Sequence, residues 1–482
     1  MMIALACLAV AAIGIERVWL ALAQPLWFDE TWTVAVAAAP DGRALLHEIY
    51  NDANAPLYYV LAWAWRLIAG PSDIALRTPG LIAVFVAGAI PLLARLKGLS
   101  LEARLAWGAM IFGWWGVDIF LNGRCYSLLM AVSVLQCVAF ARLLRSPTTG
   151  RAWVWCAVGA CAVLIQYYAI VGVATQGLIY LAARRGQAVR TWPALLAFVP
   201  MFAWMAYHAP RLRAFSDTAV AWHPLVDPAR AASFATFTLN PSSPLVPVAV
   251  VLALAAILLV SRRDAAAGRD EPEEPVPELW LTALAALLAF ALILLSGVLR
   301  PTLTNRYFVP VAPGVLLGLV LFARHQARAH LAYLALMAIY LAAPLRPDNF
   351  ADGLRSRSQY GYEQASATLM AHKVTSVIYV WDHELAPIMD PGSLQRVGAV
   401  FFRRAGDMTP VTALAPRPTD DVNRLILAQA SGPRPGVIWL YNRDGRTSAR
   451  AHPPRLPQID PRWTCERIGD DRVGNLACYR TP

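Results

Sequence analysis

Long apolar runs recur along the first 345 residues of this 482-residue chain, and they constrain its fold more than any other feature. A helix needs about 20 largely apolar residues to cross the hydrocarbon core of a bilayer. The runs that approach or reach this length lie at residues 3–23, 75–95, 103–121, 126–144, 152–167, 168–183, 192–208, 244–260, 279–298, 307–323 and 331–345. The sequence therefore predicts a mainly α polytopic membrane protein with about 11 transmembrane helices.

Composition agrees with this class, because 58% of the residues are hydrophobic and only 15% are charged. The mean hydropathy of +0.47 is typical of membrane proteins rather than of proteins built on a large soluble core. A net charge of +11 would suit a nucleic-acid partner, but the basic residues lie mainly in short gaps between apolar runs and in the tail. Such a distribution indicates orientation in a membrane, and no nucleic-acid partner is predicted.

A shorter apolar segment at residues 56–69 decides the predicted sidedness. Its 14 residues suit a juxtamembrane or re-entrant helix better than a span. With this segment on one side of the membrane, the basic gaps all fall on the opposite side, which the positive-inside tendency makes cytoplasmic. These gaps contain Arg95, Arg142, Arg184, Arg262 and Arg324. We therefore expect a multi-pass protein of the plasma (inner) membrane, with the first outer loop (residues 24–74) and the C-terminal tail on the extracytoplasmic side.

The N-terminal run has a second interpretation. The sequence Ala21-Leu22-Ala23 is typical of a signal-peptidase site, and cleavage there would make residues 1–23 a signal peptide. However, the run lacks a basic first region, is long, and contains Glu16 and Arg17. We interpret it as the first span of a membrane domain that covers residues 1–345.

Residues 346–482 are polar and numerous enough to form a small domain. Strand-like runs at residues 374–381, 399–402 and 437–441, with a helix near residues 360–371, predict an extracytoplasmic α/β domain. Residues 463–480 are compatible with a hairpin that turns at residues 469–471. Because the tail is expected outside the reducing cytoplasm, a disulfide between Cys465 and Cys478 can close this hairpin.

An acidic pair, Asp29 and Glu30, follows the first apolar run directly. Trp27, Phe28 and Trp32 surround the pair, and aromatic rings of this kind settle at headgroup depth. Neighbouring side chains point in different directions, so one carboxylate can face a substrate while the other fixes a loop or a metal. A carboxylate can accept the proton of an attacking hydroxyl, which makes Asp29 and Glu30 catalytic candidates. The simpler alternative is a pair of carboxylates that stay in water at the interface.

Two arginines on the predicted outer side break the positive-inside pattern. Arg124 lies two residues before Tyr126, and Arg306 directly precedes Tyr307. A guanidinium offers paired donors that match phosphate oxygens, so these residues predict a phosphate site at the membrane surface. The alternative is snorkelling of interfacial arginines. Further candidates for substrate contact on the same side are Asn54, Tyr58, Tyr59 and Arg77.

The order of these motifs resembles the C-type (polytopic membrane) glycosyltransferase superfamily, especially the protein O-mannosyltransferase and lipid A aminoarabinose transferase branch. The resemblance covers about residues 1–345 and, more weakly, the tail. It rests on Trp27-Phe28-Asp29-Glu30, Pro56-Leu57-Tyr58-Tyr59, Leu76-Arg77-Thr78-Pro79, Arg124-Cys125-Tyr126-Ser127 and Arg306-Tyr307. Two positions depart from the pattern: Asn54-Ala55 stands where relatives often carry His or Lys, and Asn122 where an acidic residue often precedes the arginine motif.

The resemblance implies a polyprenyl-phosphate sugar donor, an acceptor hydroxyl on a glycan, lipid or protein, an extracytoplasmic site and inversion at the anomeric carbon. Asp29 would activate the acceptor, and Arg124 and Arg306 would stabilise the departing lipid phosphate. The tyrosines Tyr58, Tyr59 and Tyr126 would shape the sugar or lipid site. Glu30 would support Asp29 or bind a divalent ion, and no other cofactor is predicted.

Two other functional classes remain open at this point. In a transporter or flippase of lipid-linked sugars, the intramembrane Glu16 and Arg17 would be central, because ionisable residues inside a span are costly and often functional. In a non-catalytic scaffold, the tail would bind a partner.

Overall fold

The computed structural model describes residues 2–114, 122–219, 224–265, 276–326, 328–345, 361–382, 385, 388–417, 420–442, 455–469 and 473–481. Helices make up most of the first 342 residues. In chain order they are α1 (Met2–Ala23), α2 (Phe28–Ala37), α3 (Gly42–Asn51), α4 (Pro56–Ala69), α5 (Asp73–Ala94), α6 (Leu101–Gly113), α7 (Tyr126–Arg145), α8 (Thr149–Ile165), α9 (Ala169–Arg190), α10 (Val199–Ala219), α11 (Pro228–Leu239), α12 (Leu245–Ala265), α13 (Pro277–Leu299), α14 (Ala312–Arg324) and α15 (Ala329–Ala342). Two 3₁₀ turns, Trp192–Phe198 and Asn305–Phe308, precede α10 and α14.

Among the residues described, three helices are long and apolar enough to cross a membrane, namely α5, α7 and α13. Two bent pairs raise this number to five if each pair is one span: α1 with α2, bent by 77°, and α9 with the segment from Trp192 to Asp217, bent by 105°. Shorter apolar helices, including α8, α14 and α15, coincide with other predicted spans. The count of eleven spans stays a prediction, whereas the helical character of the predicted runs is confirmed wherever the structure describes them.

The helices of the bundle approach one another closely at glycine positions. A Cβ atom on Gly108 of α6 would lie 2.5 Å from the carbonyl oxygen of Gly88 in α5. Similarly, a Cβ atom on Gly113 would lie 2.2 Å from the carbonyl oxygen of Tyr340 in α15. Because only glycine fits there, α6 packs directly against the backbones of α5 and α15.

The two ends of the bundle differ in chemistry. At one end, Arg142 of α7 donates to the last carbonyl of α5, that of Ala94, at 2.6 Å. There, Arg145 also pairs with Glu278 of α13 at 3.5 Å. At the opposite end of the bundle, α5 begins at Asp73 and α7 begins at Tyr126. The acidic motif and Arg124 are located at this end. The basic gaps and the candidate site therefore lie at different ends of the same helices.

The tail forms a five-stranded sheet with the order β2-β1-β3-β5-β4. Its strands are β1 (Ser376–Asp382), β2 (Val411–Leu414), β3 (Pro435–Asn442), β4 (Trp463–Gly469) and β5 (Val473–Arg480). The pairs β1–β2 and β1–β3 are parallel, and β3–β5 and β4–β5 are antiparallel. The helices α16 (Tyr362–Ala371), α17 (Pro391–Arg404), α18 (Val422–Gln429) and α19 (Leu456–Ile459) accompany the sheet.

Most of the predicted tail elements are confirmed. The expected strands at residues 374–381 and 437–441 correspond to β1 and β3, and the helix near residues 360–371 to α16. The expected hairpin is β4–β5, in which Cys465 lies opposite Cys478 and the two form a disulfide. Of the predicted turn at residues 469–471, residues 470 and 471 lie outside the described residues.

The predicted strand at residues 399–402 is wrong, because these residues belong to α17. Asp390 caps this helix by accepting from the Ser393 amide at 2.8 Å, and a proline occupies its first turn, as is common at helix starts. Leu394, Val397 and Phe401 then form a buried helical face with spacings of three and four residues. The short β2 takes the corresponding place in the sheet.

The tail domain (residues 361–481) packs on the first outer loop. Trp381 at the end of β1 stacks on Phe28 with ring centroids 6.4 Å apart, and contacts Trp32 edge-on at 5.8 Å. Glu48 of α3 accepts from the Ser393 hydroxyl at 2.8 Å and pairs with Arg396. The tail thus contacts both α2, which carries the acidic motif, and α3, which leads to Asn54.

Candidate active site

Three charged residues distant in sequence meet at the outer-loop end of the bundle. Asp29 lies in the first turn of α2, Arg124 just before α7, and Arg306 in the 3₁₀ turn before α14. Arg306 Nη1 donates to Asp29 Oδ2 at 2.8 Å, and Arg124 Nη2 lies 4.0 Å from the same oxygen. The side chains of Asp29 and Arg306 are 25% and 30% exposed, whereas that of Arg124 is 7% exposed. A ligand can therefore reach the Asp29–Arg306 pair, beneath which Arg124 is buried.

Arg306 is held between two aromatic rings. Its guanidinium carbon lies 5.5 Å from the ring centroid of Trp27 and 5.7 Å from that of Tyr126. Its hydrogen bonds to described residues, Asp29 and the Tyr126 hydroxyl, both use Nη1. Tyr126 and Asp29 raise the pKa of Arg306 above its ordinary value, against the burial that lowers it. Arg306 therefore stays charged and directs further N–H groups away from Asp29.

Arg124 supports the backbone of the acidic motif as well as its charge. Its Nη1 donates to the Asp29 carbonyl at 3.2 Å, to the Tyr59 hydroxyl at 3.2 Å and to the Thr33 hydroxyl at 3.5 Å. Burial acts to lower the pKa of Arg124, but the neighbouring Tyr59 and Asp29 raise this pKa by more than burial lowers it. The net shift is therefore upward. Within the described part of the chain its Nε is buried without a hydrogen-bond partner. The site therefore holds a permanent buried cation next to Asp29.

Glu30 points away from Asp29 into the protein, where its side chain has no exposed surface. Its two oxygens accept from Nε and Nη2 of Arg77, both at 2.8 Å. They also accept from the backbone amides of Gly123 at 2.7 Å and Trp27 at 2.8 Å. Glu30 thus joins α2, α5 and the segment that carries Arg124.

Arg77 completes this arrangement from α5 with a side chain that is 1% exposed. Besides Glu30, it donates to the carbonyls of Ala21 at 2.6 Å, Gln24 at 2.9 Å and Pro25 at 3.0 Å. These carbonyls belong to the end of α1 and the turn that follows it. Arg77 therefore fixes the bend between α1 and α2. Its buried side chain contacts Glu30 and this bend rather than Asp29.

Sequence reasoning missed Asp52, which lies between α3 and α4. The Tyr59 hydroxyl donates to Asp52 Oδ2, and Asn54 Nδ2 contacts the two Asp52 oxygens at 3.2 and 3.1 Å. The available signal was its position two residues before Asn54 in the same outer loop. Asn54 and Tyr59, both predicted to contact substrate, are therefore joined to a carboxylate and, through Tyr59, to Arg124.

The two remaining tyrosine candidates, Tyr58 and Tyr307, each pack against another tyrosine ring. Tyr58 packs against Tyr59, with ring centroids 6.3 Å apart, and lines a largely apolar cavity of about 170 Å³ together with Arg66. Tyr307 stacks on Tyr168, a residue that the sequence did not single out, at 4.1 Å with an interplanar angle of 11°. Among the described residues, neither of these two tyrosines forms a hydrogen bond with Asp29.

No group of three or more His, Cys, Asp or Glu side chains among the described residues has the arrangement of a metal site. Of the intramembrane pair, Arg17 is buried in the last third of α1, where Nη2 donates to the Phe112 carbonyl at 2.7 Å. Its guanidinium also lies over the Phe112 ring at 4.4 Å. Arg17 thus joins α1 to α6 within the bundle.

No protein-family model matches the sequence, and no curated protein matches it either. Among solved structures, the chain is similar to ArnT from Cupriavidus metallidurans bound to undecaprenyl phosphate, with a TM-score of 0.57 at 13% identity over 98% of this chain and 97% of that one. The apo structure of the same protein gives a TM-score of 0.58 at 12% identity with the same coverage. At these identities the likeness concerns the fold. The fold expected from the resemblance, that of the lipid A aminoarabinose transferase branch of membrane glycosyltransferases, is confirmed.

Proposed function

We propose that this protein is a membrane glycosyltransferase that moves a sugar from a polyprenyl-phosphate donor to an acceptor hydroxyl, with inversion at the anomeric carbon. The observation that carries the proposal is the meeting of the accessible Asp29 with Arg306 and Arg124 at one end of the bundle. ArnT, whose fold the chain shares, has been solved with undecaprenyl phosphate bound. A lipid phosphate is the anion that two cations at a membrane surface would take.

The site can support a single displacement. Asp29 accepts the proton of the acceptor hydroxyl as its oxygen forms a bond to the anomeric carbon. The bond between that carbon and the phosphate oxygen breaks, and its electron pair leaves with the polyprenyl phosphate. Attack from the face opposite the leaving group inverts the anomeric configuration. Negative charge develops on the phosphate, where Arg306 and Arg124 stabilise it.

Arg306 links the two halves of this reaction. Nη1 holds Asp29 at 2.8 Å, and the guanidinium fork offers donors on its other nitrogens to phosphate oxygens. One residue can therefore keep the base and the leaving group at a constant separation. The rings of Trp27 and Tyr126 restrict the motion of the guanidinium, which favours such positioning over flexible charge neutralisation.

The other candidates take supporting roles in this proposal. Glu30 and Arg77 position Asp29 by joining α1, α2 and α5, and Glu30 has its oxygens committed to N–H donors rather than to a divalent ion. Tyr58, Tyr126 and Tyr307 shape the surroundings of the sugar or lipid. The end that carries Asp29 and the tail domain faces the extracytoplasmic side of the inner membrane, and the acceptor is a glycan, a lipid or a protein.

The proposal is tested with purified protein in detergent and a panel of polyprenyl-phosphate sugars. Wild type is expected to release polyprenyl phosphate and form a glycoside, and Asp29→Asn is expected to abolish both because the proton acceptor is lost. Asp41→Asn is the matched control: this exposed residue caps α3, accepting from the Ala44 amide at 2.8 Å, and asparagine caps equally well.

Two results would contradict the proposal in different ways. Wild-type rates in Asp29→Asn would remove Asp29 from the mechanism. A folded wild type that releases no polyprenyl phosphate from any donor, yet moves the donor across vesicle membranes, would be a transporter of lipid-linked sugars.

A further inference from the structure

Asp52 lies outside the acidic motif but belongs to the same set of contacts. Its Oδ2 accepts from the Tyr59 hydroxyl, and that hydroxyl in turn accepts from Arg124 Nη1 at 3.2 Å. Arg124 Nη1 also donates to the Asp29 carbonyl at 3.2 Å. A continuous chain of hydrogen bonds therefore runs from Asp52 through one phenol and one guanidinium to the backbone of Asp29.

The charge of the buried Arg124 explains why these hydrogen bonds to Asp52 are needed. A buried guanidinium is stable only where anions or hydrogen-bond acceptors compensate its desolvation. The Asp29 carboxylate is 4.0 Å from Arg124 Nη2 but 2.8 Å from Arg306 Nη1, so it is shared and engaged more closely by Arg306. Burial, with Asp52 beside it, raises the pKa of Tyr59, which keeps the phenol protonated as a donor to Asp52. Asp52 is thus the second anion for Arg124, acting through Tyr59.

The loop that carries Asp52 is anchored from a different helix. Nε2 of the fully buried His208 donates to the Tyr50 carbonyl at 3.0 Å, and Arg211 Nη2 donates to the Asn51 carbonyl at 2.9 Å. Nδ1 of His208 contacts the Tyr167 hydroxyl at 2.7 Å. With the last turn of α3 held by α10 in this way, Asp52 meets Tyr59 at a defined place.

We propose that Asp52 is a positioning residue, which acts through Tyr59 to hold Arg124 where the negative charge develops on the departing phosphate. The inference rests on the proposed function for its catalytic consequence. The restraint of Arg124 by Asp52 and Tyr59 can be measured without any assay of sugar transfer.

The direct test measures how readily Arg124 reacts. An arylglyoxal reagent modifies accessible guanidinium groups, and peptide mapping by mass spectrometry reports each arginine separately. Asp52→Asn and Tyr59→Phe are each expected to increase modification of Arg124 several-fold, because the first removes the anion and the second removes the hydroxyl that connects this anion to Arg124. Arg77, held by Glu30, is the internal control and keeps its wild-type reactivity, and Asp41→Asn changes neither arginine. Unchanged reactivity of Arg124 in both variants would overturn the proposal.

The catalytic test separates positioning from general structural support. Asp52→Asn is expected to lower kcat by about 10- to 100-fold, the size of effect that misplacement of a catalytic group produces, with little change in KM for the donor. Asp52→Glu, which restores the carboxylate, is expected to recover part of kcat. In an Arg124→Ala background, Asp52→Asn is expected to have no further effect, because the two residues act as one unit.

The outcomes distinguish failure of the positioning role of Asp52 from failure of the proposed function. Additive losses from Asp52→Asn and Arg124→Ala would mean that Asp52 acts elsewhere, which overturns the positioning role. If wild type transfers no sugar from any donor, the proposed function fails, while the reactivity of Arg124 still decides whether Asp52 holds it.

Discussion

At the scale of single residues, the pair Glu30–Arg77 is almost completely removed from water. The side chains are 0% and 1% exposed, and two parallel hydrogen bonds of 2.8 Å join them. Burying two charges is costly, and geometry of this quality with further partners on both residues is what offsets the cost. A small chemical change in either residue of the pair should therefore have a large effect on the free energy of unfolding.

Replacing Glu30 by Gln is expected to destabilise the protein by about 3–5 kcal/mol, because the Arg77 charge stays buried without its counter-ion. The measurement is thermal unfolding of purified protein in detergent. Asp217→Asn serves as control: it removes an exposed ion pair with Arg300, at 2.8 Å, whose worth is about 0–1 kcal/mol. Equal shifts in Tm for the two variants would contradict the importance assigned to the buried pair.

Glu30 also leads to a prediction about metal dependence. Its oxygens accept from four N–H groups, those of Arg77, Gly123 and Trp27, and Asp29 Oδ2 is bound to Arg306. With these acceptors occupied by cationic and amide donors, we expect the transfer rate to be unchanged after dialysis against EDTA. A rate that falls with the chelator and returns on addition of Mg²⁺ or Mn²⁺ would contradict this expectation.

At the scale of elements, the tail domain shows which predictions from local sequence succeed. Strands β1 and β3 and helix α16 follow from contiguous patterns of apolar residues and are found as expected. The apolar pattern of residues 399–402 alone predicts a strand. However, the start signal of their helix, Asp390 followed by proline, lies nine residues earlier. A short apolar run is ambiguous between helix and strand, and here the distant cap and the buried face of α17 decide it.

The disulfide of the β4–β5 hairpin is expected to stabilise the tail domain. The disulfide joins Cys465 and Cys478, which are 13 residues apart, and so closes a short loop in the unfolded chain. Replacing both cysteines by serine is expected to lower the stability of the tail domain by about 2–4 kcal/mol. Hydrogen exchange of β5 peptides measures this, with peptides of α7 in the helical bundle as an internal reference. No change in the exchange of β5 would contradict it.

At the scale of the whole molecule, the bundle separates a basic end from an end that carries the site. The positive-inside tendency predicts that the basic end faces the cytoplasm. Since α5 and α7 both run between these ends, the orientation of one helix determines that of the site and of the tail domain that packs on it.

A pair of single substitutions tests this orientation in intact cells. Gly42 at the start of α3 and Gly150 at the start of α8 are exposed, and an added Cβ meets nothing within 4 Å at either position. A membrane-impermeant maleimide is expected to label Gly42→Cys and to leave Gly150→Cys at the level of the parent protein. Labelling of both by a permeant reagent controls for accessibility. The reverse pattern would place the candidate site in the cytoplasm.

The sequence by itself determined the helical, apolar character of the bundle and supplied most of the residues that meet at the candidate site. Apolar runs, the basic gaps between them and the charged motifs at the ends of helices are properties of contiguous residues, so they can be recognised before folding is considered. Only the tertiary structure decided the partners. Arg306 meets Asp29 across 277 residues and Arg77 meets Glu30 across 47, while Asp52 gains its place through Tyr59 and Arg124. Such pairings depend on how separate helices pack, and no local pattern records which charge will be brought to which.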